Sequence, residues 1–176
     1  LVAHPGIDHI TVTGSVATGQ AVMHAAAEHV TRLVLELGGK SPVVVLADCD
    51  IDAAVDSAFG AIFENAGQIC SAGSRLLIER RIHDDFVDRL AGKASALTLG
   101  HGLRDPGLGP LNSAAHLDKV AGFVDRARAR GVAVRTGGHR RSDPLTGKGW
   151  FFEPTILDAL APHDECVQQE IFGPVL

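Results

Sequence analysis

Ile10-Thr11-Val12-Thr13-Gly14-Ser15, the Ala-rich stretch from about Val16 to Val30, and Leu33-Val34-Leu35-Glu36-Leu37-Gly38-Gly39 together decide the fold class. The first segment is short and β-branched, so it reads as a strand. The middle one lacks proline and is rich in a strong helix former, so it reads as a helix. The third is again a strand, closed by two glycines. Strand, helix and strand within roughly 30 residues is the rhythm of a βαβ unit in an α/β sheet. Val43-Val44-Val45-Leu46 follows as a further strand, and its unbroken apolar run predicts burial on both faces.

The same alternation continues downstream. Ile51, Val55, Ala58, Phe59, Ile62 and Phe63 share one face of a helix over about 51–65, with Asp50 as its N-cap and Gly67 at its C-terminal turn. Leu76-Leu77-Ile78 reads as a strand, and about 83–97 as a helix that turns Phe86, Leu90, Ala94 and Leu97 inward. Residues 99–111, rich in Gly and Pro, read as a loop. Ser113 caps a helix carrying Leu117, Val120, Val124 and Ala127, which Gly131 ends. Val132–Val134 and Trp150–Leu157 are further strands. Arg126, Arg128 and Arg130 sit at a helix C-terminus, where the dipole favours cations, and read as a solvated face.

Composition narrows the function classes. The chain has 176 residues, a formal net charge of −5, 45% hydrophobic and 21% charged residues. That is enough apolar material for a core and too little charge for a disordered tail. The acidic balance argues against a nucleic-acid binder. No apolar run reaches the ~18 residues of a membrane span, and the first residues do not read as a signal peptide. Cys49, Cys70 and Cys166 are odd in number and widely spaced, which predicts a reducing, cytoplasmic setting and no disulfide framework. No metal site is expected: the histidines form no His-Glu-x-x-His, and His163-Asp164-Glu165-Cys166 reads as a polar loop. Gly39-Lys40-Ser41 has the end of a Walker A loop, but Val34 stands where that loop needs a glycine.

Two residues invite chemistry. Cys70 lies in a turn of small residues just beyond a helix. Gly67 and Gly73 on either side leave room for a substrate carbonyl and for a backbone N–H at a developing oxyanion. A free thiol of pKa ~8.5 is mostly un-ionised at neutral pH, so such a site must favour the thiolate. The other reading of a lone cysteine is a buried, inert side chain; it is assigned to Cys49 and Cys166. Glu36 is a carboxylate within an apolar strand. Alternation allows it to face solvent. The functional alternative is a partly desolvated base at a strand end, with its pKa raised so that it can accept a proton.

Leu35-Glu36-Leu37-Gly38-Gly39-Lys40-Ser41-Pro42 and Phe63-Glu64-Asn65-Ala66-Gly67-Gln68-Ile69-Cys70-Ser71-Ala72-Gly73-Ser74 resemble the general-base and nucleophile motifs of the aldehyde dehydrogenase superfamily. Glu170-Ile171-Phe172-Gly173-Pro174-Val175 is similar to that family's cofactor-contacting motif, and Thr13-Gly14-Ser15 with Gly19 to its coenzyme-domain turn. The blocks follow the family's order over essentially the whole chain. The resemblance implies an α/β fold: a parallel-sheet catalytic domain at 38–176, preceded at 1–37 by the last βαβ unit of a Rossmann-type coenzyme-binding domain. It implies Cys70 as nucleophile and Glu36 as base. Gly14, Ser15, Gly19, Leu37, Gly38, Glu170 and Phe172 would contact NAD or NADP, and Ile69 and Ser71 would flank the substrate. Two carboxylate oxygens of Glu170 suit ribose hydroxyls, and the Phe172 ring suits a nicotinamide.

The implied reaction oxidises a small-molecule aldehyde to a carboxylic acid through a cysteine thiohemiacetal and thioester. A glutamate at position 36 favours water over coenzyme A as the final acyl acceptor. The partners implied are the aldehyde and further copies of the chain, as homodimer or homotetramer, with no nucleic acid and no membrane. Because the family's chains are much longer, this stretch is expected to be a central segment that by itself is inactive, associates, and binds NAD weakly or not at all. Two other readings stand beside this one. One is a non-catalytic structural or oligomer-forming module; the other is a cysteine hydrolase pairing Cys70 with a histidine.

Overall fold

β1 (His9–Gly14), α1 (Val16–Ala27) and β2 (Arg32–Leu37) build the first of two units, Leu1–Gly39. The computed structural model describes residues 1–104 and 106–176. β1 and β2 pair in parallel, with Ile10 opposite Leu33 and Val12 opposite Leu35. Their apolar residues alternate with exposed ones, so one face of the pair is half-covered. Ser15 caps α1, its Oγ accepting from Thr18 N at 3.1 Å. The helix stops at Ala27, short of the expected Val30, because Val30 takes a left-handed φ of 54° that turns the chain into β2.

The second unit, Lys40–Leu176, repeats the motif with β3 (Pro42–Val45), α2 (Ile51–Phe63) and β4 (Arg75–Ile78). Here too the strands are parallel, with Val43 opposite Leu76 and Val45 opposite Ile78. Asp50 caps α2, accepting from Asp52 N and Ala53 N. The expected burial of residues 43–46 on both faces is not found. Val43, Val45, Leu76 and Ile78 turn to the core, while Val44 and Leu46 are 63% and 58% exposed. A continuous apolar run thus reports strand propensity here, and only one of its faces is packed.

Around this motif stand α3 (His83–Ser95), α4 (Ala114–Ala129), β5 (Ala133–Thr136), β6 (Arg140–Arg141), β7 (Phe151–Phe152), β8 (Ile156–Asp158) and α5 (Glu165–Gln168). β5 pairs with β8, and β6 with β7, both antiparallel. These two antiparallel ribbons stand beside the parallel β3–β4 pair of the same unit. The single strand expected over 150–157 is broken into β7 and β8 with Pro154 between them, a residue that has no N–H for a ladder. The loop over 99–111 contains a 3-10 turn at Gly102–Arg104 and a bridge between Leu99 and Leu108; Asp105 lies outside the described residues. Ile62, Phe86, Leu90, Val120, Val124 and Phe152 fill the core.

Polar groups lock the periphery. The arginines of α4 are not a free solvated face. Arg126 and Arg130 pair with Glu165, Arg130 also with Asp164, and Arg128 donates to the carbonyls of Gly137 and Gly138. The stretch read as a polar loop at 163–166 is in fact the capped start of α5, with Asp164 Oδ1 accepting from Cys166 N. Asp143 organises the turn that follows it: its Oδ1 accepts from Leu145 N, Thr146 N and the Thr146 hydroxyl, and its Oδ2 pairs with Arg104. Burial alone would raise this carboxyl, but those donors and the guanidinium bring it down to about 2.

Candidate active site

The Cys70 turn is built by an abrupt change of backbone hand. α2 runs into a 3-10 turn at Glu64–Gly67, and Asn65, Ala66 and Gly67 all take positive φ, at 48°, 55° and 69°. Gly67 has to be glycine: a Cβ there would lie 2.1 Å from the carbonyl oxygen of Gly173. The chain then turns over Ile69–Ala72, closed by Ala72 N donating to Ile69 O at 3.0 Å, with Cys70 and Ser71 exposed at its tip and Ile69 half-buried. Gly73 brings the strand back against α2, because a Cβ would meet Val43 Cγ2 at 2.5 Å and Ala61 Cβ at 2.9 Å.

Gln68 clamps this turn. Its Nε2 donates to Asn65 O (3.2 Å) and Pro110 O (3.3 Å), its Oε1 accepts from Asn112 N (3.0 Å), and Asn65 Nδ2 donates to Gln68 O (3.1 Å). Asn65, Gln68, Asn112, Trp150 and Phe172 all line one cleft of about 900 Å³. Phe172 is half-buried, takes φ 61°, and passes its carbonyl to His116 Nε2 at 2.6 Å. Gly67 against Gly173 thereby joins the cysteine turn to the Glu170–Val175 block.

The thiols differ in kind. Burial pushes the Cys166 thiol up to about 11, the Asp164 carboxylate adding to this, so it stays protonated and inert. Cys49 is exposed, which corrects its reading as a buried side chain. Lys40 donates its Nζ to Ser74 O at 2.7 Å. Burial lowers this ammonium to about 8, with Cys166 and Glu170 opposing the shift and Arg75 adding to it.

In the first unit the named residues cluster at the carboxyl ends of the two parallel strands. Thr13 stands opposite Glu36 and Gly14 opposite Leu37. This is the edge of an open α/β sheet at which ligands bind. Glu36 is exposed, so the expected desolvation of its carboxylate is absent in this structure. Gly19 is buried in α1, where a Cβ would lie 2.9 Å from Leu37 Cδ1, so the missing side chain serves helix–strand packing. Gly14, Leu37 and Gly38 are half-buried, and Ser15 is exposed.

The chain matches the aldehyde dehydrogenase family over residues 1–176. It belongs to that family. A betaine aldehyde dehydrogenase of Bacillus subtilis (strain 168) is 44% identical over 177 residues, covering 100% of this chain and 36% of the relative. A crystal structure of betaine aldehyde dehydrogenase from Staphylococcus aureus in complex with NAD+ superposes with a TM-score of 0.95 at 39% identity, over 99% of this chain and 35% of that one. An NAD+ complex of an aldehyde dehydrogenase from Bacillus cereus gives 0.95 at 38% identity, over 99% and 35%. This chain therefore spans about a third of the length of the relatives it matches.

In this member of the aldehyde dehydrogenase family, Cys70, Ile69, Ser71 and the Phe172 block lie in the second unit. Glu36, Leu37, Gly14 and Ser15 lie in the first. Sequence reasoning passed over Asn112 and His116, and quoted Lys40 and Gln68 only as parts of motifs. His116 had a legible signal: a polar ring three residues past the Ser113 cap, in a helix whose neighbouring positions Leu117 and Val120 are core. Among the described residues no group of three His, Cys, Asp or Glu is placed to hold a metal, and no helix is long and apolar enough to cross a membrane.

Proposed function

We propose that the chain supplies the nucleophile and the base of an NAD(P)+-dependent aldehyde dehydrogenase that oxidises an aldehyde to a carboxylic acid. The observation that carries this reading is Cys70, exposed at the tip of a turn set by three left-handed residues and clamped by Gln68. The family match over the whole chain supports it.

Cys70 Sγ, as thiolate, attacks the aldehyde carbon; a C–S bond forms and the carbonyl oxygen takes the charge. The Cys70 backbone N–H donates to that oxyanion, a contribution most effective where water is excluded. The chemistry that bound NAD(P)+ supplies is hydride acceptance. Cys70 then holds the acyl group as a thioester. Glu36 takes a proton from water, the resulting hydroxide equivalent attacks the thioester carbon, and the C–S bond breaks to release the acid and restore the thiolate. The residues present fit the dinucleotide. No acidic side chain stands in the first turn of α1, and among the described residues Ser15 Oγ bonds to Thr18, so the remaining N–H groups there can receive a phosphate. Glu170 and Phe172 would hold the ribose and the nicotinamide, and Ile69 and Ser71 would flank the aldehyde.

Betaine aldehyde is the first substrate to test, because it is in the name of the relative of highest identity quoted above. The proposed enzyme works in the cytoplasm as a homodimer or homotetramer. Two histidines that a cysteine hydrolase could have used are engaged by other partners: His83 bonds Asp84 and Asp158, and His116 bonds Phe172 O. In an enzyme of the relatives' length, Cys70→Ala is expected to abolish NADH formation. Glu36→Gln is expected to keep one turnover of NADH and to accumulate an acyl mass on Cys70. Normal turnover by Cys70→Ala overturns the proposal.

A further inference from the structure

Phe172 is held in a backbone conformation that a phenylalanine avoids. Its φ of 61° is strained for a residue that carries a Cβ and persists only where neighbours over-determine it. Three contacts do so. His116 Nε2 donates to Phe172 O at 2.6 Å; a carbonyl oxygen only accepts, so Nε2 carries the proton. The His116 and Phe172 rings meet edge to face, centroids 5.9 Å apart at 71°. Gly173 closes the other side, where a Cβ would lie 2.7 Å from Val120 Cγ2.

His116 sits on the first turn of α4, its own N–H donating to the capping Ser113 Oγ at 3.1 Å. Asn112, directly before that cap, donates its N–H to Gln68 Oε1. A short path of bonded groups therefore runs from the Cys70 turn through Gln68, Asn112, Ser113 and His116 to the Phe172 carbonyl. We infer that His116 is a positioning residue: it fixes the Phe172 backbone and, through the start of α4, sets that ring relative to the cysteine turn. The inference rests on the proposed reading of Phe172 as the ring that faces the nicotinamide.

The test is a steady-state comparison in the complete enzyme, with iodoacetamide alkylation of Cys70 as a second readout. His116→Ala is expected to raise KM for NAD+ about tenfold, the loss of roughly one well-formed hydrogen bond, with kcat within about threefold and the alkylation rate unchanged. His116→Gln, which keeps an amide donor, is expected to recover most of that KM. A purely structural role would lower the melting temperature without splitting KM from kcat and without rescue by glutamine. If His116→Ala fails to fold, His116→Leu keeps the bulk and lacks the donor, and carries the same expectation. Phe172→Ala separates the two readings. An unchanged KM in Phe172→Ala overturns the cofactor role of Phe172 and this inference with it. A raised KM in Phe172→Ala beside an unchanged KM in His116→Ala, or a glutamine variant no better than alanine, overturns the inference alone.

Discussion

Both units use a parallel strand–helix–strand motif, and they differ in what covers it. In Leu1–Gly39, full burial reaches Gly19, Val22 and Ala26 of α1 and no residue of β1 or β2. In Lys40–Leu176 the motif is overlaid by further helices, and Phe86, Leu90, Val120 and Val124 lose essentially all contact with water. Local propensity and capping are thus sufficient to shape a βαβ unit, whereas a core needs another layer. A unit of this size, near the ~40-residue limit for independent folding, has little apolar surface to bury.

The largest effect that separates the two units is a core deletion. Leu90→Ala is expected to cost about 3 kcal/mol, since it empties a fully buried site, and Val22→Ala about 1 kcal/mol, since it shortens a side chain over a thin layer. Urea unfolding followed by far-UV circular dichroism, together with amide exchange resolved by segment, reads both. Equal losses from the two substitutions would break the contrast.

A second pair tests the left-handed positions. Gly67→Ala is expected to cost at least about 2 kcal/mol, because φ is 69° and the new methyl would press on the Gly173 carbonyl. It should also change the alkylation rate of Cys70. Val30, left-handed but 88% exposed, has no such wall, and Val30→Gly is expected to stabilise the first unit by up to about 1 kcal/mol. A neutral Gly67→Ala with unaltered Cys70 reactivity would mean that the turn is not held by this contact.

These positions also show how far the sequence was legible. α2 and α4 were readable because their apolar spacing and their caps, Asp50 and Ser113, agree. Cys70 was singled out because the residues around it resemble the family's nucleophile motif. The antiparallel ribbons were not, since Arg140–Arg141 and Phe151–Phe152 are too short to show a period. The face of β3 was misjudged because an apolar run does not say which side a helix will cover. The clamp of Gln68 on Asn112 spans 44 residues, and His116 on Phe172 spans 56, so no local pattern encodes either. Gly19 was named for the cofactor on a resemblance to the family's coenzyme-domain turn, and its packing on Leu37 was not legible because tight packing and close approach to a phosphate ask for the same missing side chain.

Acid should act on the second unit through Asp143. Its folded pKa lies below the unfolded value, so its contribution is fully present above about 3.8 and is lost as pH falls toward about 2. The amides of Leu145 and Thr146, which donate to this carboxylate, should lose protection across that window. Asp143→Asn is expected to remove the pH dependence and to loosen the 143–148 turn at neutral pH. An identical acid profile in wild type and Asp143→Asn would place the acid sensitivity elsewhere.

The smallest effects come from one chemistry placed in both units. Ser15 caps α1 and Ser113 caps α4, each accepting one backbone N–H at 3.1 Å. Replacing either by alanine removes the same bond and is expected to cost about 1 kcal/mol of local helix stability. Where that cost is seen depends on the layers above it. α4 is anchored by Leu117, Val120, Phe123 and Val124, so opening its first turn without disturbing the core is unfavourable, and Ser113→Ala should lower the global urea midpoint. α1 is held by far less buried surface, so Ser15→Ala should leave that midpoint in place and instead speed amide exchange over its first turn. If the two substitutions shift the global midpoint equally, α1 unfolds together with the second unit's core, and the difference in coverage between the units is not a difference in stability.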